Sequence, residues 1–395
     1  MKQEAESLRQ HLAWWGLRHL TVDTDYFTWQ RHALNPTQLA QLTGSAERKR
    51  SGDSGDEIAF YDLSADATVF PILYSQRYEY YEAVGSRVAA HIEPATAVLD
   101  FGCGPGILTT FYARQCPHVR FVGLDRSPAS IALARQRASA LGLTNVTFSC
   151  WDVIGHPFPD TFDLVIATHA LVQNEQDPGL PSRDWTTFER ARDVGQQQAF
   201  ESRTGIGPRL DGLCASLVEG GRLILFEKTR QLARRVPLQR ALAGRDLSLL
   251  AWPEPVRYRT IEEVSDDGPL FVVGRGGPGS LPWDESPEPD EGLPFDANLV
   301  DLGSRGHDVP LYENHWPSAQ RVWEGLEGRS IVGDCTRGEP DGRQMHVEWG
   351  TAGPFAYLYC ANTFDQRQVV IMEQDRAGQL VDYYRDIVDS PSPAK

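Results

Sequence analysis

Asp100, Gly102, Gly104, Gly106 and Asp125 are the residues of this chain whose types and spacing most clearly describe a chemistry. The stretch 98–106, Val-Leu-Asp-Phe-Gly-Cys-Gly-Pro-Gly, reads as a buried strand running into a glycine-rich turn. Glycines at such a turn let the backbone approach a ligand closely, and the helix that follows offers its first N–H groups to the same ligand. The next apolar run, 120–125, ends on Asp125, where nucleotide-binding sheets place the carboxylate that accepts from two ribose hydroxyls. The spacing also excludes a cofactor class. A dinucleotide fingerprint needs its third glycine at position 107, and this chain has Ile107 there.

The G-x-G-x-G turn, with Asp100 two residues before it and Asp125 at the next strand end, resembles the S-adenosylmethionine site of class I methyltransferases. The resemblance implies S-adenosylmethionine as the cofactor and no metal. Gly102, Gly104 and Gly106 would let its methionine part lie against the backbone, and Asp100 would orient its amino group. Asp125 would take the ribose and Arg126 would cover the adenine face. In the segment Cys150-Trp151-Asp152-Val153, Asp152 would accept from the adenine amine while Trp151 or Val153 packs on the ring.

The elements that must position these residues follow from pattern. Strands at 97–101, 120–125, 146–151, 162–168 and 222–227 alternate with helices near 106–115, 127–141 and 205–219, the rhythm of an α/β fold with a parallel sheet. Runs at 257–264 and 270–274 flank Ser265-Asp266-Asp267-Gly268, which reads as a hairpin turn. The resemblance therefore implies a Rossmann-like seven-stranded methyltransferase sheet, with the core at 91–276 and the likeness itself over about 97–276. Residues 1–90 read as an N-terminal helical lid region rich in aromatic side chains, with 44–56 an exposed loop and 70–92 a helix carrying Tyr74, Tyr78, Tyr80 and Tyr81. Residues 277–296 read as an acidic Pro/Gly linker. Residues 297–390 read as a C-terminal α+β domain that resembles no family we recognise.

The acceptor side is less determined. Thr168 and His169 end the fourth strand, where open α/β sheets bind their ligands, so Thr168 faces the cofactor. His169 is either a general base, imidazole titrating near neutrality, or a hydrogen-bonding partner of the cofactor or the next helix. Glu227, ending the fifth strand, is a second catalytic candidate, with a salt bridge to Lys228 or Arg230 as the alternative. The (Asp/Asn)-Pro-Pro-(Tyr/Phe) tetrad of enzymes that methylate base or glutamine amino nitrogens is absent here, which counts against those substrates. The long connection 174–204 carries Trp185, and with Tyr74 and Tyr78 it would close over a substrate; aromatic stripes of this kind also serve as helix core. The run 228–245 holds six basic residues and no acidic one, suited to an anionic substrate group or to a solvated face that pairs with the acidic linker.

A net charge of −16 argues against nonspecific binding of nucleic acid or an anionic membrane. Six cysteines without a C-x-x-C pair, and no stretch of membrane-spanning length, suggest a cytoplasmic protein with reduced thiols. The expectation is a methyltransferase acting by in-line displacement on a small-molecule acceptor, a specialised metabolite, with a homodimer through the N- or C-terminal region possible. Two alternatives stand beside it: a protein or peptide methyltransferase that docks through its C-terminal domain, and a non-catalytic S-adenosylmethionine-binding interaction protein.

Overall fold

A computed structural model describes residues 2–51, 54–156, 158–174, 176–261, 264–277, 281–298, 309–339 and 343–389. The chain divides into two compact units. The first is built from Met1–Asp177, Gln198–Arg230 and Leu238–Trp283, the second from Pro178–Gln197, Gln231–Pro237 and Asp284–Lys395.

The first unit begins with six helices: α1 (Lys2–Trp14), α2 (Asp23–Ala33), α3 (Pro36–Ser51), α4 (Ser54–Ser64), α5 (Phe70–Ser75) and α6 (Tyr78–Ala89). The alternating part follows as β1 (Ala97–Phe101), α7 (Ile107–Gln115), β2 (Arg120–Asp125), α8 (Pro128–Ala140), β3 (Val146–Cys150) and β4 (Phe162–Thr168). The chain continues with α9 (Val194–Thr204), α10 (Ile206–Ser216), β5 (Leu217–Phe226), α11 (Leu232–Ala243), β6 (Leu247–Leu249), β7 (Glu254–Arg259) and β8 (Val264–Arg275), the first turns of α9 and α11 being counted in the second unit. Strands β3-β2-β1-β4-β5 are parallel, and β8 enters antiparallel beside β5. The central strands carry near-continuous apolar runs because helices cover both faces: Val98, Leu99, Phe162, Leu164, Val165 and Ala167 have no measurable exposure. Helix α8 starts where Ser127 caps it, its Oγ accepting from Ser130 N at 3.0 Å, with Pro128 in the first turn.

Three sequence expectations change here. The sheet has eight strands rather than seven, because the position beyond β8 is shared by β6 at one end and β7 at the other. The Ser265-Asp266-Asp267-Gly268 segment is not the hairpin turn but part of β8. Its pairing with β7 steps from Val256↔Gly268 to Arg257↔Asp266, so Asp267 is the extra residue of a β-bulge. The stretch 44–51 is helical, not a loop: Ala46, Glu47, Arg48, Lys49 and Arg50 are strong helix formers that outweigh one glycine, which costs about 1 kcal/mol. Lys49 Nζ is 3.0 Å from Tyr61 Oη, tying α3 to α4.

The second unit carries a five-stranded antiparallel sheet, order β10-β11-β12-β13-β9. Its elements are β9 (Tyr312–Asn314), α12 (Ala319–Glu324), β10 (Arg329–Gly338), β11 (Gln344–Ala352), β12 (Phe355–Asn362), β13 (Arg367–Glu373) and α13 (Ala377–Asp389). Helix α13 lays Leu380, Tyr384 and Ile387 on a cluster with Val347, Leu358 and Val370. The segment Pro178–Gln197 is built into this unit. Ser182 N donates to Thr363 O at 2.7 Å, and the Trp185 ring lies face to face on His346 with centroids 3.6 Å apart. Arg190, 1% exposed in its side chain, pairs with Asp365, which also accepts from Ala233 N at 2.9 Å. Among the described residues no helix is long and apolar enough to cross a membrane.

Truncating one partner of a buried ion pair leaves the other charge uncompensated, at a cost of roughly 3–5 kcal/mol. Arg190→Met is expected to lower the unfolding free energy by an amount in that range, measured by chemical denaturation. A loss below about 1 kcal/mol would show that solvent reaches Asp365.

Candidate active site

The glycine turn between β1 and α7 is fixed by three left-handed residues: Gly102 at φ +73°, Gly104 at +53° and Gly106 at +81°. The glycines do different work. A Cβ on Gly102 would fall 2.4 Å from that of Ala170, and one on Gly106 would fall 2.9 Å from the Phe148 ring. A Cβ on Gly104 would meet nothing within 4 Å, so its open side faces the cavity. Gly102 N and Cys103 N donate to Leu124 O, and Gly104 N donates to Asp125 Oδ2 at 2.9 Å. Asp125 Oδ1 accepts from Ser127 N at 2.8 Å, so one carboxylate holds the turn and the start of α8 together. Burial raises the Asp125 pKa, while these two hydrogen bonds and Arg126 favour its charge. Burial also raises Asp100, to about 7, against the 2.5 Å hydrogen bond it accepts from Thr109 Oγ1.

Asp100, Gly102, Gly104, Asp125, Arg126, Trp151, Thr168, His169 and Tyr74 line one cavity. Gly106 lies just behind its wall, between the lining residues Pro105 and Ile107. Arg126 is engaged in an ion pair with Glu57 of α4. Trp151 is oriented by its Nε1 donating to His156 O at 2.8 Å.

Five expected site residues do not line this cavity. Asp152, next to the lining Trp151, is exposed, accepts from Ile154 N at 3.0 Å and does not itself line the cavity. Val153 is buried where Gly212 lets α10 come close. Tyr78 turns away from the cavity and stacks on His19 at 4.8 Å. Trp185 belongs to the core of the second unit. Glu227 is fully enclosed: Oε1 accepts from Ala170 N and Leu171 N at 2.7 Å each, and Oε2 lies 3.4 Å from Val172 N. Burial raises its pKa to about 7, and the three backbone bonds oppose the rise. Its role is to hold the loop after β4, so it is not available as a base.

His169 is also not placed as a general base. It adopts φ +52° at the end of β4, with its N–H donating to Phe226 O at 2.7 Å. Arg77 Nη2 lies 2.9 Å from its Nδ1, and a guanidinium can only donate, so Nδ1 is the acceptor and Nε2 carries the proton. Nε2 sits 3.1 Å from Asp267 Oδ2, off the line of a well-directed hydrogen bond. The ring is sandwiched by Tyr80 at 5.0 Å and Phe226 at 5.1 Å, and burial drives its pKa down to about 4. Asp267 also accepts from Tyr258 Oη. Burial works against its charge, yet the close approach of His169 and the hydrogen bond from Tyr258 hold its pKa down to about 2. The imidazole is therefore a neutral spacer between a cation and a carboxylate, Nδ1 taken up by Arg77 and Nε2 facing Asp267.

Sequence reasoning missed Arg77, Tyr80, Tyr81, Tyr112 and Arg209, all of which line the cavity. Arg77 is the one cation in the 74–81 run of tyrosines, a signal that was open to reading.

Residues 98–182 match the family model of a methyltransferase domain. The release factor glutamine methyltransferase of Geobacter sulfurreducens is 27% identical over 184 residues, 46% of this chain and 59% of that protein. The trans-aconitate 2-methyltransferase of Mycobacterium tuberculosis is 40% identical over 92 residues, 23% of this chain and 31% of that protein. This chain thus spans less than two thirds of the length of either relative. Among solved structures, magnesium protoporphyrin IX methyltransferase from Synechocystis aligns at 17% identity and a TM-score of 0.36, over 66% of this chain and 100% of that one. The N-methyltransferase NodS of Bradyrhizobium japonicum aligns at 16% identity and a TM-score of 0.35, over 49% and 85%.

Two measurements check this geometry. Gly102→Ala is expected to destabilise the first unit strongly, because its Cβ collides with Ala170. Gly104→Ala should cost only the ~1–2 kcal/mol of a left-handed non-glycine residue. Equal losses in thermal melts would contradict the assignment of Gly104's open side. NMR titration of the His169 ring should show it neutral down to about pH 5, consistent with its pKa of about 4; a midpoint between 6 and 7 would restore it as a candidate base.

Proposed function

We propose that this chain, whose core is a class I S-adenosylmethionine-dependent methyltransferase domain, methylates a small-molecule acceptor held in the chamber walled by Tyr74, Tyr80, Tyr81 and Tyr112. The single observation that carries the reading is the Gly104–Asp125 arrangement: a turn open on its cavity side beside a buried carboxylate at the next strand end. The residues present fit the cofactor. Asp125 has acceptor capacity beyond its bonds to Gly104 and Ser127, Asp100 stands one strand away in the same cavity, and Trp151 presents an aromatic face. When bound there, S-adenosylmethionine supplies a sulfonium methyl group to in-line displacement.

The chain's own residues then align and desolvate. Alignment and exclusion of water are the main demands of such a displacement. Both acid–base candidates are engaged by the protein, Glu227 by three backbone N–H groups and His169 by Arg77 and Asp267. That favours an acceptor already nucleophilic at neutral pH over one that must first lose a proton. The tyrosine walls favour a small acceptor. The stretch Thr168-His169-Ala170-Leu171, standing where amino-nitrogen methyltransferases carry their proline tetrad, weighs against a glutamine acceptor like that named for the Geobacter relative.

Isothermal titration of the full chain with S-adenosylhomocysteine should give one site per chain. Asp125→Ala should weaken it at least tenfold, about 1.4 kcal/mol. Gly104→Ala should weaken it by a similar factor. Absence of binding by the wild type would refute the reading.

A further inference from the structure

The helices before β1 divide between two apolar clusters. Leu8 and Leu12 of α1, with Tyr80, Val84 and Val88 of α6, belong to the cluster built on the sheet. Tyr26 of α2, Leu42 of α3 and Ile72 of α5 belong to a second cluster, against which Phe60 and Leu63 of α4 pack and which Ile261 borders from beyond β7. Helices α2, α3 and α4 thus share a small core of their own, and the lid expected over residues 1–90 narrows to them. Lys49 on Tyr61, and Arg48 at 3.7 Å from Asp56, join α3 to α4 as one piece.

Polar contacts attach this piece to the cavity, which α4 walls with Glu57, Ile58 and Tyr61. Glu57 pairs with Arg126, which also donates to Ser54 Oγ. Asp62 Oδ1 accepts from Ser127 Oγ at 2.6 Å and from Ala129 N at 3.1 Å. Asp23 of α2 pairs with Arg259 of β7 at 2.9 Å. Ser127 is therefore held twice, its N–H by Asp125 and its hydroxyl by Asp62 of α4. A shared apolar core keeps helices together, whereas part-exposed ion pairs and hydrogen bonds exchange for water at small net cost. We propose that α2, α3 and α4 form a lid that opens as one body to admit the cofactor, latched by Glu57 on Arg126 and by Asp62 on Ser127 and Ala129. Because Asp125 and Asp62 grip the same residue, a ligand on Asp125 and closure of the lid reinforce one another. The inference rests on the methyltransferase reading above.

Stopped-flow binding of S-adenosylhomocysteine to the full chain should approach a limiting rate as ligand is raised, set by opening of the lid. Glu57→Gln combined with Asp62→Asn should raise that limit about fivefold or more, because each removes a charge-assisted contact of the latch. In native-state hydrogen exchange of the free wild type, the amides of α2, α3 and α4 should exchange about tenfold or more faster than those of β1 and α6. Bound S-adenosylhomocysteine should narrow that difference. Three results would overturn the proposal: a binding rate that climbs linearly without a limit, a limit unchanged in the double variant, or lid amides as protected as those of β1 in the free chain. The exchange measurement uses the wild type alone, so it decides the matter even where the double variant does not fold. A wild type that binds no S-adenosylhomocysteine marks failure of the underlying reading instead, and the exchange of the free chain still reports on the lid.

Discussion

The carboxylate of Glu227 holds the backbone of Ala170 and Leu171 with two 2.7 Å hydrogen bonds, and the geometry of the site depends on that clamp. The loop after β4 has no helix to satisfy its N–H groups, and buried backbone donors must find an acceptor. With Glu227 in place, Ala170 sits against Gly102 so closely that no side chain fits between them. Gly102 in turn hangs from Leu124 O, and Gly104 from Asp125. A carboxylate at the end of the fifth strand thus fixes the turn after the first strand through contacts that cross β4. The same loop begins at His169, whose left-handed backbone turns its ring between Tyr80 and Phe226.

This arrangement assigns different duties to carboxylates that look alike in sequence. Glu227 and Asp267 are spent on internal partners, a backbone loop and a histidine with a tyrosine. Asp125 and Asp100 keep acceptor capacity toward the cavity, at the cost of burial that raises both. With Glu227 and His169 both engaged by the protein, the proposed displacement relies on an acceptor that is already nucleophilic. Rigid placement then contributes more than proton transfer, since holding reactants in attack geometry is worth several kcal/mol, on the order of 7–11 in well-oriented cases.

The legible parts of the sequence were those where local pattern and tertiary demand agree. β2 spans Arg120–Asp125 as the apolar run predicts, and Gly102, Gly104 and Gly106 all take the left-handed conformations that their spacing suggests. The misreadings have physical causes. Asp266-Asp267-Gly268 has the composition of a turn, but a bulge in a long strand uses the same residues. Trp185 and its neighbours lie in a long connection, and nothing local shows that this connection packs into a second unit with partners as far along the chain as His346 and Thr363. Strand β10, with Gly333 and Gly338 and an exposed face, carries no alternation strong enough to announce itself. Tyr78 and Tyr80 share a helix, and only the packing of α6 decides that the second faces the cavity.

The central claim is that the open side of Gly104 and the carboxylate of Asp125 form the ribose end of a cofactor site. A crystal structure of the chain with S-adenosylhomocysteine tests it most directly. The account predicts both ribose hydroxyls on Asp125, the amino acid portion along the backbone of Gly102 and Gly104, and the sulfur facing the tyrosine-walled chamber. A ligand bound away from Asp125, or one whose adenosine lies outside the cavity, would contradict it.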